Sequence, residues 1–158
     1  VPEARADEAV QIFRSRYIPI GKFENSPYPG IEALLQRLRE SGFTLFVATS
    51  KPEVTAVEVL EHFGLAGYFE KICGASMERG RETKQEVIAC LLDQIGPPGR
   101  VLMIGDTDYD VLGAKAHGIA TIGCTWGYGD PESLRRAGAL ALADTPEELY
   151  ELLLKEVW

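Results

Sequence analysis

Several things are scarce or missing in this 158-residue chain. There is no basic excess: 16 Lys and Arg stand against 24 Asp and Glu, a formal net charge of −8. That balance excludes sequence-independent nucleic-acid binding, which needs a basic face. No apolar run approaches the ~20 residues of a membrane-spanning helix, and no signal-peptide pattern opens the chain. Cysteine is sparse. Cys73, Cys90 and Cys124 are odd in number and far apart, with no metal-like spacing, so they read as buried free thiols in a reducing cytoplasm. Internal repeats and low-complexity segments are also lacking. What remains, 46% hydrophobic and 25% charged, is an ordinary globular composition with length enough for one core.

Periodicity predicts an amphipathic helix over 3–17, a Pro- and Gly-rich turn region over 18–30, and a second helix over 30–42 stopped by Gly42. From there strands and helices alternate. Strands are expected at 43–50, 71–74, 100–105, 119–124 and 139–144, and helices at 51–64, 83–96, 109–118, 130–138 and 145–157. Asp130 with Pro131, and Thr145, read as helix caps. Strands that are apolar throughout, separated by helices, imply a Rossmann-like α/β fold: a parallel sheet covered on both faces. Ligands in such sheets sit beyond the carboxyl ends of the strands. The unexpected polar residues fall there: Thr49 after "TLFVA", Asp106 after "VLMIG", and Thr125 after "TIGC".

The stretch "VLMIGDTDYD" crowds Asp106, Asp108 and Asp110 just past a buried strand. Mg²⁺ is a hard cation that takes oxygen ligands and binds through one or two carboxylates plus water and phosphate. Asp110 lies one helical turn beyond Asp106 and can come back beside it. Capping of the following helix by Asp106 or Asp108 is the competing reading, and it explains one or two aspartates rather than three.

Four segments together resemble the haloacid dehalogenase-like (HAD) hydrolases, in particular their phosphoglycolate-phosphatase-like branch. "LFVATSKP" is similar to the second motif of that family and "RETKQEVI" to the third. "MIGDTDYDVLGAKAHGI" is similar to the acidic fourth motif, and "TIGCTWGYG" with "ALALADTPEEL" to the closing segment. "FRSRYIPIGKFENSPYPGIEALLQRL" resembles the end of a helical cap returning to the core. The resemblance implies a small remnant of cap at 1–25 and a HAD core at 26–158. It also implies roles. Thr49 would bind the transferred phosphoryl group, helped by Ser50 and Lys51. Lys84 would neutralise charge on nucleophile and phosphoryl oxygens. Asp106 would ligate Mg²⁺, with Asp110 holding a metal-bound water or orienting Lys84. Asp108 falls between the motif positions and is expected to cap or face solvent. Trp126 and Tyr128 are candidates for the substrate entrance. By itself, a lysine near Arg79, Arg81 and Glu82 reads as part of a solvated face.

One part of the family pattern is missing. The nucleophilic aspartate of the first motif, DxDGT, appears nowhere in these 158 residues. The chain therefore reads as N-terminally truncated, with its first strand, nucleophile and most of the cap outside it. The resemblance implies a Mg²⁺-dependent phosphatase acting on a small phosphomonoester (phosphoglycolate-like, or a nucleotide or sugar phosphate) through an aspartyl-phosphate, cytoplasmic, and monomeric or homodimeric. A non-catalytic binding module and a phosphomutase are the alternatives. Alone, the 158 residues are expected to be inactive and poorly soluble, because a missing central strand exposes sheet edges.

Overall fold

The structure is a computed structural model that describes residues 5–76, 80–96 and 99–155. Among the described residues five strands, β1 (Phe46–Pro52), β2 (Lys71–Ala75), β3 (Leu102–Gly105), β4 (Ala120–Cys124) and β5 (Ala141–Ala143), alternate with helices. The helices are α1 (Ala6–Tyr17), α2 (Ile31–Glu40), α3 (Glu53–His62), α4 (Lys84–Ile95), α5 (Asp108–Lys115), α6 (Pro131–Ala137) and α7 (Pro146–Leu154). Among the described residues, the 3₁₀ turns Gly21–Phe23 and Ala66–Tyr68 fall in stretches that periodicity leaves as connections.

All described strand pairings are parallel, as continuous apolar strands joined by helices require. They do not form one sheet. β1 pairs with β2, and β3, β4 and β5 form a separate sheet in that order. Among the described residues, β1 and β3 each therefore keep one unpaired edge.

Side-chain alternation decides what each face buries. On one face of the larger sheet, Ile122 and Cys124 of β4 and Ala143 of β5 pack with Leu34 and Leu38 of α2 and Leu149 and Leu153 of α7. Arg37 joins these two helices at the surface by its ion pair with Glu147 at 2.7 Å and by lying 3.8 Å over the Tyr150 ring. On the other face Leu142 meets Val111 of α5 and Leu134 and Ala137 of α6. The smaller sheet buries Cys73 against Val87 and Leu91 of α4.

The strand and helix ends follow local chemistry. α4 opens with a reciprocal cap: Thr83 Oγ1 accepts the Glu86 amide at 3.2 Å, and Glu86 Oε2 accepts the Thr83 amide at 2.9 Å. Asp130 and Thr145 cap α6 and α7 by accepting the Ser133 and Glu148 amides at 2.9 and 3.1 Å. Pro52 closes β1 and stands at the cap position of α3. The β1–β2 register breaks between Thr49 and Pro52, an irregularity of the kind that re-aims side chains at a strand end.

α1 buries none of its residues, and Val10, Ile12 and Phe13 are exposed along it. The segment behind it is anchored: Lys22, 4% exposed, ion-pairs with Glu58 of α3.

Candidate active site

Lys84 is the first residue of α4, so the Thr83 cap fixes where its side chain starts. The ammonium is largely shielded from solvent. Its Nζ donates to the Ala48 carbonyl of β1 at 2.8 Å and pairs with Asp110 Oδ1 at 2.8 Å. With side chains 12% and 7% exposed, this is a buried ion pair, not the solvated face that the local charge pattern suggests. One lysine thereby spans the two sheets, from a strand carbonyl on β1 to the helix that follows β3.

The second oxygen of Asp110 is equally committed. Oδ2 accepts the Asp106 amide at 3.1 Å, the Thr107 amide at 3.0 Å and the Thr107 hydroxyl at 2.9 Å. Thr107, rather than Asp106 or Asp108, occupies the cap position of α5, and Asp110 answers it from the third residue of the helix. Asp110 is thus the carboxylate paired with Lys84. Neither of its oxygens is left open toward a crevice.

Asp106 differs. Oδ2 accepts the Tyr128 amide at 2.8 Å, and Oδ1 has no partner among the described residues. Three glycines make this packing possible. A Cβ on Gly105 would collide with the Asp110 side chain, one on Gly127 with the Asp106 side chain, and one on Gly129 with the Asp106 carbonyl oxygen. A Cβ on Gly113 would come within 2.7 Å of Lys84 Cγ. Asp108 only accepts the amide of its neighbour Tyr109, at 3.0 Å.

Thr49 lies one residue beyond the carbonyl that Lys84 holds. Its Oγ1 accepts the Lys51 amide at 3.1 Å, which leaves the hydroxyl hydrogen without an acceptor among the described residues. Ser50 is exposed. The Lys51 ammonium turns away, to the Tyr17 hydroxyl of α1 at 2.8 Å. Trp126 packs against the core cluster of α2 and α7, and Tyr128 is 93% exposed. It is the backbone of Tyr128 that meets Asp106. Sequence reasoning missed the Ala48 carbonyl, the Tyr128 amide and Thr107. The first two are main-chain groups that any residue would supply, but the Thr-x-x-Asp spacing of a cap was visible at 107–110.

Lys84, Asp110 and Asp106 are thus linked by direct contacts, with Thr49 next to them along β1; the side chains of Ser50 and Lys51 stand outside that network. Among the described residues no three His, Cys, Asp or Glu side chains stand together as a metal cage. The donor set fits Mg²⁺ nonetheless, since that ion takes one or two carboxylates and keeps several waters. Asp106 Oδ1 is the carboxylate oxygen of that set without a partner among the described residues.

Parallel strands alternating with helices, with Thr49 and Asp106 at strand carboxyl ends and Lys84 reaching them from a helix start, define an α/β domain of the doubly wound type. The chain belongs to the haloacid dehalogenase-like hydrolases: the model of that family matches residues 2–124. The tyrosine-protein kinase PtkA of Mycobacterium tuberculosis is 43% identical over 151 residues, covering 94% of this chain and 52% of that protein. A 5'-nucleotidase of Pseudomonas aeruginosa is 44% identical over 134 residues, covering 84% of this chain and 61% of its own length. The crystal structure of a predicted phosphatase from Clostridium acetobutylicum superposes with a TM-score of 0.90 at 40% identity, covering 98% of this chain and 72% of that one. The chain spans little more than half the length of the curated relatives it matches. No helix among the described residues is long and apolar enough to cross a membrane.

Proposed function

We propose that this chain carries the lysine, acidic and threonine portion of a Mg²⁺-dependent phosphomonoester hydrolase whose nucleophilic aspartate lies outside these 158 residues. The observation that carries the reading is the Lys84 ammonium, held between Ala48 O and Asp110 Oδ1 beside an Asp106 with one open oxygen. Phosphoryl transfer asks for positioning and charge neutralisation more than for proton relays. Two of the three ammonium hydrogens of Lys84 are committed to fixed acceptors, so the third is aimed and available to a phosphoryl oxygen. The Thr49 hydroxyl donates to the same group, with its oxygen already fixed by the Lys51 amide. Asp106 would hold Mg²⁺, which supplies further charge neutralisation when bound.

A parallel strand between the open edges of β1 and β3 would join the two sheets and bring its own carboxyl end beside Lys84. A nucleophile there would form an aspartyl-phosphate that water then hydrolyses. In the same reading residues 1–25 end a helical cap and 26–158 form the core. The anchored Lys22 and the exposed apolar side chains of α1 support that division. The substrate is a small phosphorylated metabolite, phosphoglycolate-like or a nucleotide or sugar phosphate, handled in the cytoplasm by a monomer or homodimer. The similarity to a 5'-nucleotidase supports the nucleotide option.

The similarity to PtkA favours a second reading, because a site that positions a phosphoryl group can pass it to a tyrosine hydroxyl instead of water. Both readings are tested on the complete protein. It is assayed with a panel of phosphomonoesters, and with ATP and a tyrosine peptide, in Mg²⁺ and in EDTA. Phosphate release that needs Mg²⁺ and falls at least about 100-fold in both Asp106→Asn and Lys84→Ala supports the hydrolase. Peptide phosphorylation without phosphomonoester hydrolysis supports the kinase. Parent-like turnover in both variants refutes the site.

A further inference from the structure

Away from this site, Arg81 is only 5% exposed and is fixed by two backbone hydrogen bonds to Ser76, at 2.7 and 2.9 Å. A buried guanidinium needs acceptors, and two of the three it finds are sulfur. Nη1 donates to Cys90 Sγ at 2.9 Å and to Cys73 Sγ at 3.4 Å, while Nη2 pairs with Glu53 Oε2 at 2.9 Å. Nε has no partner among the described residues. Gln94, one turn beyond Cys90 on α4, adds a second donor to the same sulfurs, at 3.0 Å to Cys90 and 3.9 Å to Cys73. Far apart in sequence, the two thiols share two donors in space. A neutral thiol is a weak acceptor, whereas a thiolate suits a buried arginine.

The two sulfurs are unlike. Cys73 is wholly buried on β2, and Cys90 on α4 is half-buried. Burial opposes ionisation of Cys90, but the hydrogen bonds from Arg81, Gln94 and Cys73 outweigh it and hold the thiol below its ordinary value. Burial and the neighbouring Cys90 push Cys73 up to about 11. A half-buried, arginine-held sulfur beside a wholly buried protonated one is the arrangement of an attacking and a resolving thiol. Nothing in the phosphoryl site uses either group.

We propose that Cys90 and Cys73 form a peroxide-oxidisable dithiol pair, with Arg81 holding Cys90 as the reacting thiolate and Cys73 resolving it to a disulfide. The Cys90 sulfur attacks a hydroperoxide oxygen and the O–O bond breaks. Cys90 becomes a sulfenic acid, and the peroxide is reduced to water or an alcohol. The Cys73 sulfur then attacks Cys90 Sγ; the S–S bond forms, the S–O bond breaks, and hydroxide leaves as water with the Cys73 proton. The disulfide ties β2 to α4, the helix that begins with Lys84, and an external dithiol reverses it.

The test treats the complete protein with hydrogen peroxide, followed by alkylation under denaturing conditions and peptide mapping by mass spectrometry. The expected product is an intramolecular Cys73–Cys90 disulfide, removed by dithiothreitol, with Cys124 still alkylated. Cys73→Ser should stop at a Cys90 sulfenic acid that a cyclic 1,3-dione traps, and Cys90→Ser should abolish the reaction. Arg81→Gln should slow it about tenfold by lowering the thiolate fraction, with retention of fold checked by circular dichroism. If Arg81→Gln unfolds, Gln94→Leu, which removes the other donor, should slow the reaction severalfold. Oxidation that spares Cys90, stops there with Cys73 intact, pairs Cys124, or keeps its rate in the folded donor variant would overturn the proposal.

Discussion

Replacing Asp110 by asparagine removes one charge and almost no volume from a place where both oxygens are committed. Four donors converge on that carboxylate: Lys84 Nζ on Oδ1, and the amides of Asp106 and Thr107 with the Thr107 hydroxyl on Oδ2. The substituted side chain can keep its oxygen toward the three donors of the α5 cap, but its amide hydrogens then face the Lys84 ammonium. Breaking one side of a buried pair costs about 3–5 kcal/mol, because the surviving charge is left uncompensated. The weakening of three charge-assisted hydrogen bonds adds to the loss. The Lys84 side chain is 12% exposed, so some relief through water is available, and the expected cost is about 3 kcal/mol. At about 2–4 °C per kcal/mol for a domain of this size, the thermal midpoint should fall by roughly 10 °C.

The assay is urea unfolding of the complete protein followed by circular dichroism, with two comparisons that separate this account from a general sensitivity to lost charge. Asp108→Asn, which loses only an acceptor for its neighbour's amide, should cost less than about 1 kcal/mol. Lys84→Met combined with Asp110→Asn should cost at least about 2 kcal/mol less than the two single losses together, since the pair acts as a unit. Asp110→Asn no more destabilising than Asp108→Asn, or a cycle without coupling, would show that the ion pair is not what holds α4 against α5.

Four further outcomes follow from other residues. Gly127→Ala drives a methyl into the Asp106 side chain, and it should lower both stability, by about 2 kcal/mol, and any Mg²⁺-dependent turnover, seen in parallel melts and rate assays. Leu134→Ala, at a fully buried position between α6 and β5, should cost about 3 kcal/mol in urea without changing the metal dependence of activity. Burial, with Asp106 and Asp110 nearby, pushes the Cys124 thiol up from 9.0 to about 12. The unfolded chain then loses that proton first, so stability should decline from about pH 9 toward 12, and Cys124→Ala should flatten that limb. Residues 1–158 expressed alone leave the β1 and β3 edges open and should aggregate or fold incompletely; a monodisperse, active monomer in light scattering would refute this.

The elements most legible in the sequence are those whose ends carry side-chain chemistry. α6 and α7 start where Asp130–Pro131 and Thr145–Pro146 place them, and α3 gives way at Gly64, whose φ of +69° few other residues adopt. β1 was less legible. Its apolar run begins at Phe43, but Phe43 and Leu45 pack against the larger sheet's core, and pairing with β2 starts only at Phe46. The division into two sheets was not legible in the apolar pattern itself, because an unpaired strand edge has no signature of its own; only the family resemblance, which implied a missing central strand, anticipated open edges. For the site, Thr49 and Asp106 were visible as polar residues at ends of apolar runs, and Asp110 as a carboxylate one helical turn beyond Asp106. Arg81 was not: it reads as one more charge near Arg79 and Glu82, yet two thiols and a carboxylate from three other elements enclose it.

The same contacts explain why the site needs both sheets. Lys84 belongs by sequence to the helix that covers the smaller sheet, and Asp110 to the helix that follows β3 in the larger one. Their ion pair is a cross-sheet bond, and the Ala48 carbonyl fixes it from the β1 side. A change that shifts α4 along β2 therefore moves the ammonium relative to Asp106, although it touches neither residue. The Arg81 cluster sits on that same α4–β2 contact, with Cys73 on the strand and Cys90 on the helix. Within this geometry, packing beneath the smaller sheet and charge placement in the crevice are one mechanical unit. Substitutions at Val87 or Leu91 should therefore reduce turnover more than their distance from Asp106 would suggest.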